Sequence, residues 1–191
     1  MGVSYHMKHP QQLLYSAPFL IRHYFGARSR WWISRMYREA RTLHLELSRG
    51  SWDGLVLEAR DWKRYYLPPP SVPKDGLVVD IGARDGDTAF FFCFHGYRNL
   101  RLVEYDASLI PALKHNVDIL RRAYGASIEI RNKPFGLEDL QGAAFLKLDC
   151  EGCEYDVDWR SSGIPYGMEV HVPRGTPLAP GQSNALGYER G

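Results

Sequence analysis

The run Leu77-Val78-Val79-Asp80-Ile81 stops at Gly82-Ala83-Arg84-Asp85-Gly86-Asp87 and gives way, from Thr88, to Ala89-Phe90-Phe91-Phe92-Cys93-Phe94. A short apolar run, two glycines four positions apart and a helix start restrict the fold more than any other stretch of the chain. An apolar run of this length, bounded by glycine, predicts a strand buried on both faces. Glycine lets the backbone turn tightly and approach a neighbour without a Cβ in the way. The first turn of the following helix presents unpaired N–H groups. The alternation then continues. Residues 100–104 predict a second strand and 108 to about 124 a helix; 127–130, 144–148 and 167–172 predict the third, fourth and fifth strands. Strands alternating with helices through right-handed crossovers give an α/β, Rossmann-like, doubly wound and mostly parallel sheet. In such a sheet a ligand sits beyond the carboxyl ends of the strands, where the strand order reverses.

The part before the sheet is organised differently. Residues 10–41 carry helical signals, with Pro18 able to start one piece and Gly26 to end it. After Ser29, a candidate N-cap, Trp32, Ile33, Met36, Tyr37 and Ala40 recur at helical spacing, while Arg30, Arg35, Arg38 and Arg41 take the other side. Residues 1–42 hold seven Lys or Arg against the single acid Glu39, whereas the remaining chain is mildly acidic. Such a basic arm suits a peripheral membrane contact or, less well, a nucleic acid; a stripe docked on its own domain is the favoured alternative. Residues 43–62 change period: Leu43, Leu45 and Leu47 alternate with His44 and Glu46, and Leu55 to Ala59 follow a glycine-containing loop. This predicts a β-hairpin. Pro68-Pro69-Pro70 and Pro73 then mark a stiff linker. The expected division is a basic helical arm over 1–42, hairpin and linker over 43–75, the sheet domain over 76–172, and an irregular tail over 173–191.

No apolar run reaches bilayer-spanning length, and the first residues lack a secretory signal. Three cysteines do not make a disulfide framework. A cytoplasmic protein is expected, membrane-peripheral if the arm binds lipid. Cys150-x-x-Cys153 has the spacing of a redox motif but follows the fourth strand and lacks a second pair for zinc, so both are read as incidental thiols.

The loop's chemistry narrows the ligand. The fingerprint G-x-G-x-x-G does not fit residues 82–87, and no G-K-[ST] follows for a P-loop. Asp80, Asp85 and Asp87 are poor neighbours for a pyrophosphate and suit a cationic ligand. S-adenosylmethionine, with a sulfonium and an ammonium, agrees with both spacing and charge. Glu104 ends the second strand 22 residues after Gly82, where a carboxylate can take both hydroxyls of a ribose. The fourth strand ends in Leu148-Asp149-Cys150-Glu151-Gly152-Cys153-Glu154, bringing three carboxylates to the same rim. Such a cluster can orient the cofactor, act as a base toward a hydroxyl or hold a divalent cation, the last not being the favoured role. In the fifth strand Glu169 and His171 share a face, and His171 can serve as a general base near neutral pH.

Together these segments resemble the FkbM-type branch of the class I S-adenosylmethionine-dependent methyltransferases. The match runs through Val79-Asp80-Ile81-Gly82-Ala83 with Gly86-Asp87-Thr88, then Val103-Glu104 with Leu113 and Asn116, then Lys147 to Glu154 with its D-x-E-G-x-E pattern. Met168-Glu169-Val170-His171 is similar to that family's next strand. The resemblance implies methyl transfer to an oxygen of a small molecule or sugar. It implies a cofactor site of Asp80, Gly82, Ala83, Gly86, Thr88, Glu104, Tyr105, Phe135 and Asp149, with Asn132 and Lys133 beside Phe135 at the adenine. Asp149, Glu151 and His171 are the catalytic candidates. Arg84 departs from the small or amide residue usual there. The resemblance also implies strand order 3-2-1-4-5 followed by two more strands, and the 19 residues after Val172 are expected to form neither them nor their helix. Either the chain is truncated or naturally minimal, or another subunit covers the fifth strand's edge, and a second expectation stands beside the first: a cofactor-binding module without turnover that acts in assembly.

Overall fold

Six strands, β1 (Leu77–Ile81), β2 (Asn99–Glu104), β3 (Ser127–Asn132), β4 (Ala143–Leu148), β5 (Tyr166–His171) and β6 (Ala185–Arg190), form one sheet in the order β3-β2-β1-β4-β5-β6. The computed structural model describes residues 27–173, 177 and 185–191. The first five strands are parallel, with Asp80 beside Leu102 on one side and Lys147 on the other. The expected order 3-2-1-4-5 is therefore present. The strand order reverses at β1, so the ends of β1, β2 and β4 frame the crevice where such sheets bind ligands.

The tail is not irregular throughout, and the sheet does not stop at the fifth strand. β6 lies antiparallel on β5, with Met168 opposite Glu189, and supplies ladder partners to what would otherwise be an open edge. Its anchor is Tyr188, which stacks on Tyr65 at 5.1 Å and meets Tyr66 edge-on at 5.6 Å.

Side-chain alternation divides the core in two. Val78, Leu100, Leu102, Ile128 and Phe145 face the helices α4 (Asp87–Phe94) and α5 (Ile110–Tyr124). Val79, Ile81, Val103, Leu146 and Leu148 face the other way, under Leu140, Trp159 and Met168. On that second face the connections are single turns of 3-10 helix, Leu137–Leu140, Cys153–Tyr155 and Trp159–Ser162.

Among the described residues three helices precede the sheet: α1 (Ala27–Thr42), α2 (Arg49–Leu57) and α3 (Ala59–Tyr65). The stripe on α1 docks on the body. Met36 and Ala40 are fully buried, Trp32 meets Phe91 and Phe94 edge-on at 6.3 Å, and Arg35, Arg38 and Arg41 stay exposed. With the sheet on one side and these helices on the other, α4 is buried all round through Phe90, Phe91, Phe92 and Cys93. The helical piece expected between Pro18 and Gly26 lies outside the described residues.

The expected hairpin over 43–62 is replaced by α2 and α3. Leu55, Ala59, Trp62 and Tyr66, all buried, recur at helical spacing, and Ser48 caps α2 by accepting from the Ser51 N–H. The period-two stretch before them is no strand: residues 43–44 turn, with His44 at φ +56°, and residue 46 is paired by a side chain. The Glu46 N–H donates to Asn116 Oδ1 at 2.7 Å, and Asn116 Nδ2 donates to the Glu46 carbonyl at 2.9 Å. The amide of Asn116 thus offers one donor and one acceptor, as a neighbouring strand would.

α3 ends so close to β5 that only glycine fits between them: a Cβ on Gly167 would lie 2.0 Å from the Tyr65 carbonyl oxygen. Gly167→Ala should therefore cost about 1–3 kcal/mol as overpacking. Thermal melting should fall by roughly 3–10 °C; an unchanged melting temperature would show that α3 does not press on β5.

Candidate functional site

The floor of the site is a buried ion pair. Asp80, the fourth residue of β1, and Lys147, the fifth of β4, are both inaccessible to solvent, and Lys147 Nζ lies 3.0 Å from Asp80 Oδ1. Asp80 Oδ2 accepts from the Thr88 hydroxyl at 2.5 Å, and Lys147 donates to the Gly82 carbonyl at 3.1 Å. Burial alone would depress the lysine pKa, but Asp80 and Asp149 outweigh it and hold the ammonium charged well above its usual range. Asp80 therefore sits beneath the loop and supports it; it does not line the cavity above.

Two backbone conformations shape that loop. Gly82 has φ +76°, and a Cβ there would fall 1.8 Å from the Asp149 carbonyl oxygen. Only hydrogen at this position lets the loop after β1 touch the loop after β4. Arg84 adopts φ +48°, uncommon for a residue with a side chain. Its N–H donates to Glu104 Oε2 at 2.8 Å, while the Asp106 N–H donates to Oε1 at 2.8 Å. Glu104 is thus locked at the end of β2, each oxygen holding one amide and keeping a further lone pair for a ligand.

The loop's acids do not act together on a ligand. Asp85 turns away and is buried, accepting from the Ser48 N–H at 2.6 Å and the Ser51 hydroxyl at 2.7 Å, so it fastens α2 to the loop. Asp80 is held by Lys147. Asp87 remains at the cavity wall, buried, with its carboxyl pushed up to about 7 by burial and by Asp85. The charge argument from three acids in the loop reduces to Asp87, and the acidic character of the site comes instead from β4, β5 and the helices.

A cavity of about 620 Å³ opens above the loop, within the ordinary range for small-molecule sites. Glu104, Tyr105 and Phe135 line the end beyond β2 and β3, and Gly82 and Thr88 the part beyond the central β1, whereas Ala83 and Gly86 are not in its lining. Tyr105 is largely exposed and Phe135 half-buried, so aromatic surface faces the cavity here. Lys133 also lines this end, and Asn132 anchors the corner by donating to the Glu104 carbonyl at 2.8 Å.

Asp149, Glu151 and His171 line the other end, joined by Glu58 and Glu169. Lys147, Asp149, Glu169 and His171 share a sheet face because β4 and β5 alternate in phase, Lys147 pairing with Gly167. Tyr66, buried under the helices, donates to Asp149 Oδ2 at 3.4 Å. Burial and the nearby Asp149 raise the Glu169 carboxyl to about 8 and also raise Glu58. His171 is braced from behind by Glu154, whose Oε1 accepts from the His171 backbone N–H at 2.9 Å and lies 3.1 Å from Nδ1. Burial lowers the imidazole pKa, but Glu154 together with Asp149 and Glu151 reverses this and holds it above the usual histidine value. Glu154 is thus a support behind the histidine, while Glu151 is exposed with φ +57°.

Cys150 and Cys153 are not incidental thiols: they are joined in a disulfide with Cα atoms 5.4 Å apart. The left-handed conformations of Glu151 and Gly152 fold the chain back to bring them together. The bridge braces the loop that carries Asp149 and Glu154.

Sequence reasoning missed Glu58, Trp62 and Tyr66, because reading 43–75 as a hairpin and linker removed them from the site. The heptad-like run Leu55, Ala59, Trp62, Tyr66 was the available signal. It also missed Lys147, a lone cation in an apolar strand, which is a signature of a buried pair.

No family model matches the chain, and no curated protein matches it. Solved structures do. A putative O-methyltransferase from Klebsiella pneumoniae is 13% identical, with 85% of this chain and 76% of that one covered and a TM-score of 0.42. The O-methyltransferase from Bacillus cereus in complex with SAH is 10% identical, with 80% and 70% covered and a TM-score of 0.40. The glycopeptide N-methyltransferase MtfA, complexed with S-adenosyl-L-methionine, is 16% identical, with 70% and 65% covered and a TM-score of 0.39.

Asp87 gives the site a measurable pH signature. The unfolded chain releases this proton near pH ~4, whereas the folded chain keeps it to about 7. Between those values the native state binds more protons, so stability falls as pH rises through the window. Asp87→Asn should flatten that decline in melting temperature measured from pH 4 to 7, and an equal decline in the variant would assign it elsewhere.

Proposed function

We propose that the chain is an S-adenosylmethionine-dependent methyltransferase that methylates a hydroxyl of a small molecule or sugar. The observation that carries this reading is the two-ended cavity over the switch point of the sheet, with a locked Glu104 and aromatic surface at one end and Asp149 with His171 at the other. The FkbM-type resemblance of residues 79–88, 103–116 and 147–154 supports the same assignment.

The donor fits the residues present. Glu104 has acceptor capacity left for the two ribose hydroxyls, Tyr105 and Phe135 offer ring faces to the adenine, and the loop at Gly82 and Thr88 borders the methionine portion. Asp80 acts on the loop and not on the donor. When bound, S-adenosylmethionine supplies an electrophilic methyl on a sulfonium. Asp149 lies beside Glu58 and Glu169, whose carboxyls burial and Asp149 hold protonated more readily than usual, so a positive charge seated there is favoured by drawing them into the charged form. Asp149 and His171 are placed to take the proton that an acceptor hydroxyl loses as its oxygen gains the methyl, with Glu151 at the solvent side. Tyr66 orients Asp149, and Glu154 orients His171.

Calorimetric titration with S-adenosylmethionine and with its demethylated product should give saturable binding. Glu104→Ala should weaken both at least tenfold, about 1.4 kcal/mol. No heat with either ligand at millimolar concentration would sink the assignment. Binding without methyl release across a panel of hydroxyl acceptors would instead favour a cofactor-binding module that acts in assembly.

A further inference from the structure

The acceptor end of the cavity holds more than a proton acceptor needs. Asp149, Glu169 and His171 each present one donor atom, and the three atoms lie within 4.8 Å of one another. His171 Nε2 is 3.7 Å from Asp149 Oδ1 and 4.0 Å from Glu169 Oε2, with Glu151 Oε2 at 3.8 Å. These separations are too long for hydrogen bonds. They are close to what two ligands of one ion show, since each metal–ligand bond is about 2.0–2.2 Å long.

The histidine supplies an independent observation. Its ring is buried, with a side-chain exposure of 3%, and Glu154 is buried behind it. Glu154 accepts from the Gly152 and His171 backbone N–H groups, which fixes it as an acceptor. The Nδ1 proton therefore points at Glu154, and Nε2 is turned toward the cavity. A carboxylate behind a histidine, fixing its tautomer and ring plane, is the usual support of a metal-ligating imidazole. Asp149 is oriented in turn by the Tyr66 hydroxyl, so two of the three donors carry an outer hydrogen bond. The Cys150–Cys153 disulfide removes the neighbouring sulfur atoms as thiolate competitors.

We propose that Asp149, Glu169 and His171 bind a divalent first-row cation of the Mn²⁺, Co²⁺ or Zn²⁺ type at the acceptor end of the cavity. One imidazole nitrogen with two carboxylate oxygens suits such ions better than Ca²⁺ or Mg²⁺, which take oxygen ligands. Coordination replaces any proton on Nε2 and on the Glu169 carboxyl, and these protons pass to solvent. The ion keeps open positions toward the cavity, where it can bind an acceptor hydroxyl and ease its deprotonation; with Nε2 held by the ion, that proton passes to Glu151 or to solvent in place of His171. This last role rests on the proposed methyl transfer; the binding site itself does not.

Titration with Co²⁺ after chelator treatment tests the site without any methyl donor, so its failure and the failure of donor binding are separate results. One equivalent should bind, with visible d–d absorption bands and a rise in melting temperature. His171→Ala and Glu169→Gln should each weaken binding at least tenfold, with folding of each variant checked by circular dichroism. Glu129→Gln, on the exposed face of β3, should bind as the parent does. Absence of saturable binding by the folded parent chain overturns the proposal whatever the variants do. So does equal affinity in both ligand variants, or a sulfur-to-cobalt charge-transfer band, which would assign the ion to the cysteines.

Discussion

The Asp80–Lys147 pair is the contact on which the site's geometry depends. It joins the ends of β1 and β4, the two central strands, and the same ammonium holds the Gly82 carbonyl at the start of the loop. Desolvating two charges is expensive, and such a pair contributes little net stability compared with an apolar replacement. What it provides is position. Losing one member would leave the other charge buried alone, at a cost of about 3–5 kcal/mol. The loop, Thr88 at the start of α4 and Asp149 beyond β4 are all registered to it.

Around this pair the site draws on segments far apart in the chain. The loop after β1 is fastened to α2 through Asp85, Ser48 and Ser51. α3 places Tyr66 against Asp149, and Tyr188 of β6 stacks against the last turn of α3 and supports it from the other side. The helices before the sheet therefore form a wall of the cavity, and α1 buries Met36 and Ala40 against the body while Arg35, Arg38 and Arg41, with Trp31 and Tyr37, stay exposed.

The parallel strands were legible because each is a short apolar or alternating run between turn residues, and the loop because Gly82 and Gly86 bracket it. Glu104, Asp149 and His171 were legible because they end strands in a fold whose ligands sit at strand ends. Other features were hidden for physical reasons. The alternation of Leu43, Leu45 and Leu47 is that of a strand, yet residues 43–44 turn and residue 46 is paired by the side chain of Asn116, which no local pattern announces. β6 holds through aromatic contacts to Tyr65 and Tyr66, more than 120 residues earlier in sequence. The acids of the loop look alike in sequence, but one is neutralised by Lys147, one faces a helix start and one reaches the cavity wall.

Gly82 and the Asp149 carbonyl meet with no side chain between them. Main chain resting on main chain has no rotamer to absorb a displacement. A shift of the loop after β1 is thus passed directly to the chain after β4, and the disulfide just beyond Asp149 limits how far that strand end can yield. Whatever seats itself against the glycine loop therefore also bears on the aim of the carboxylate beside it.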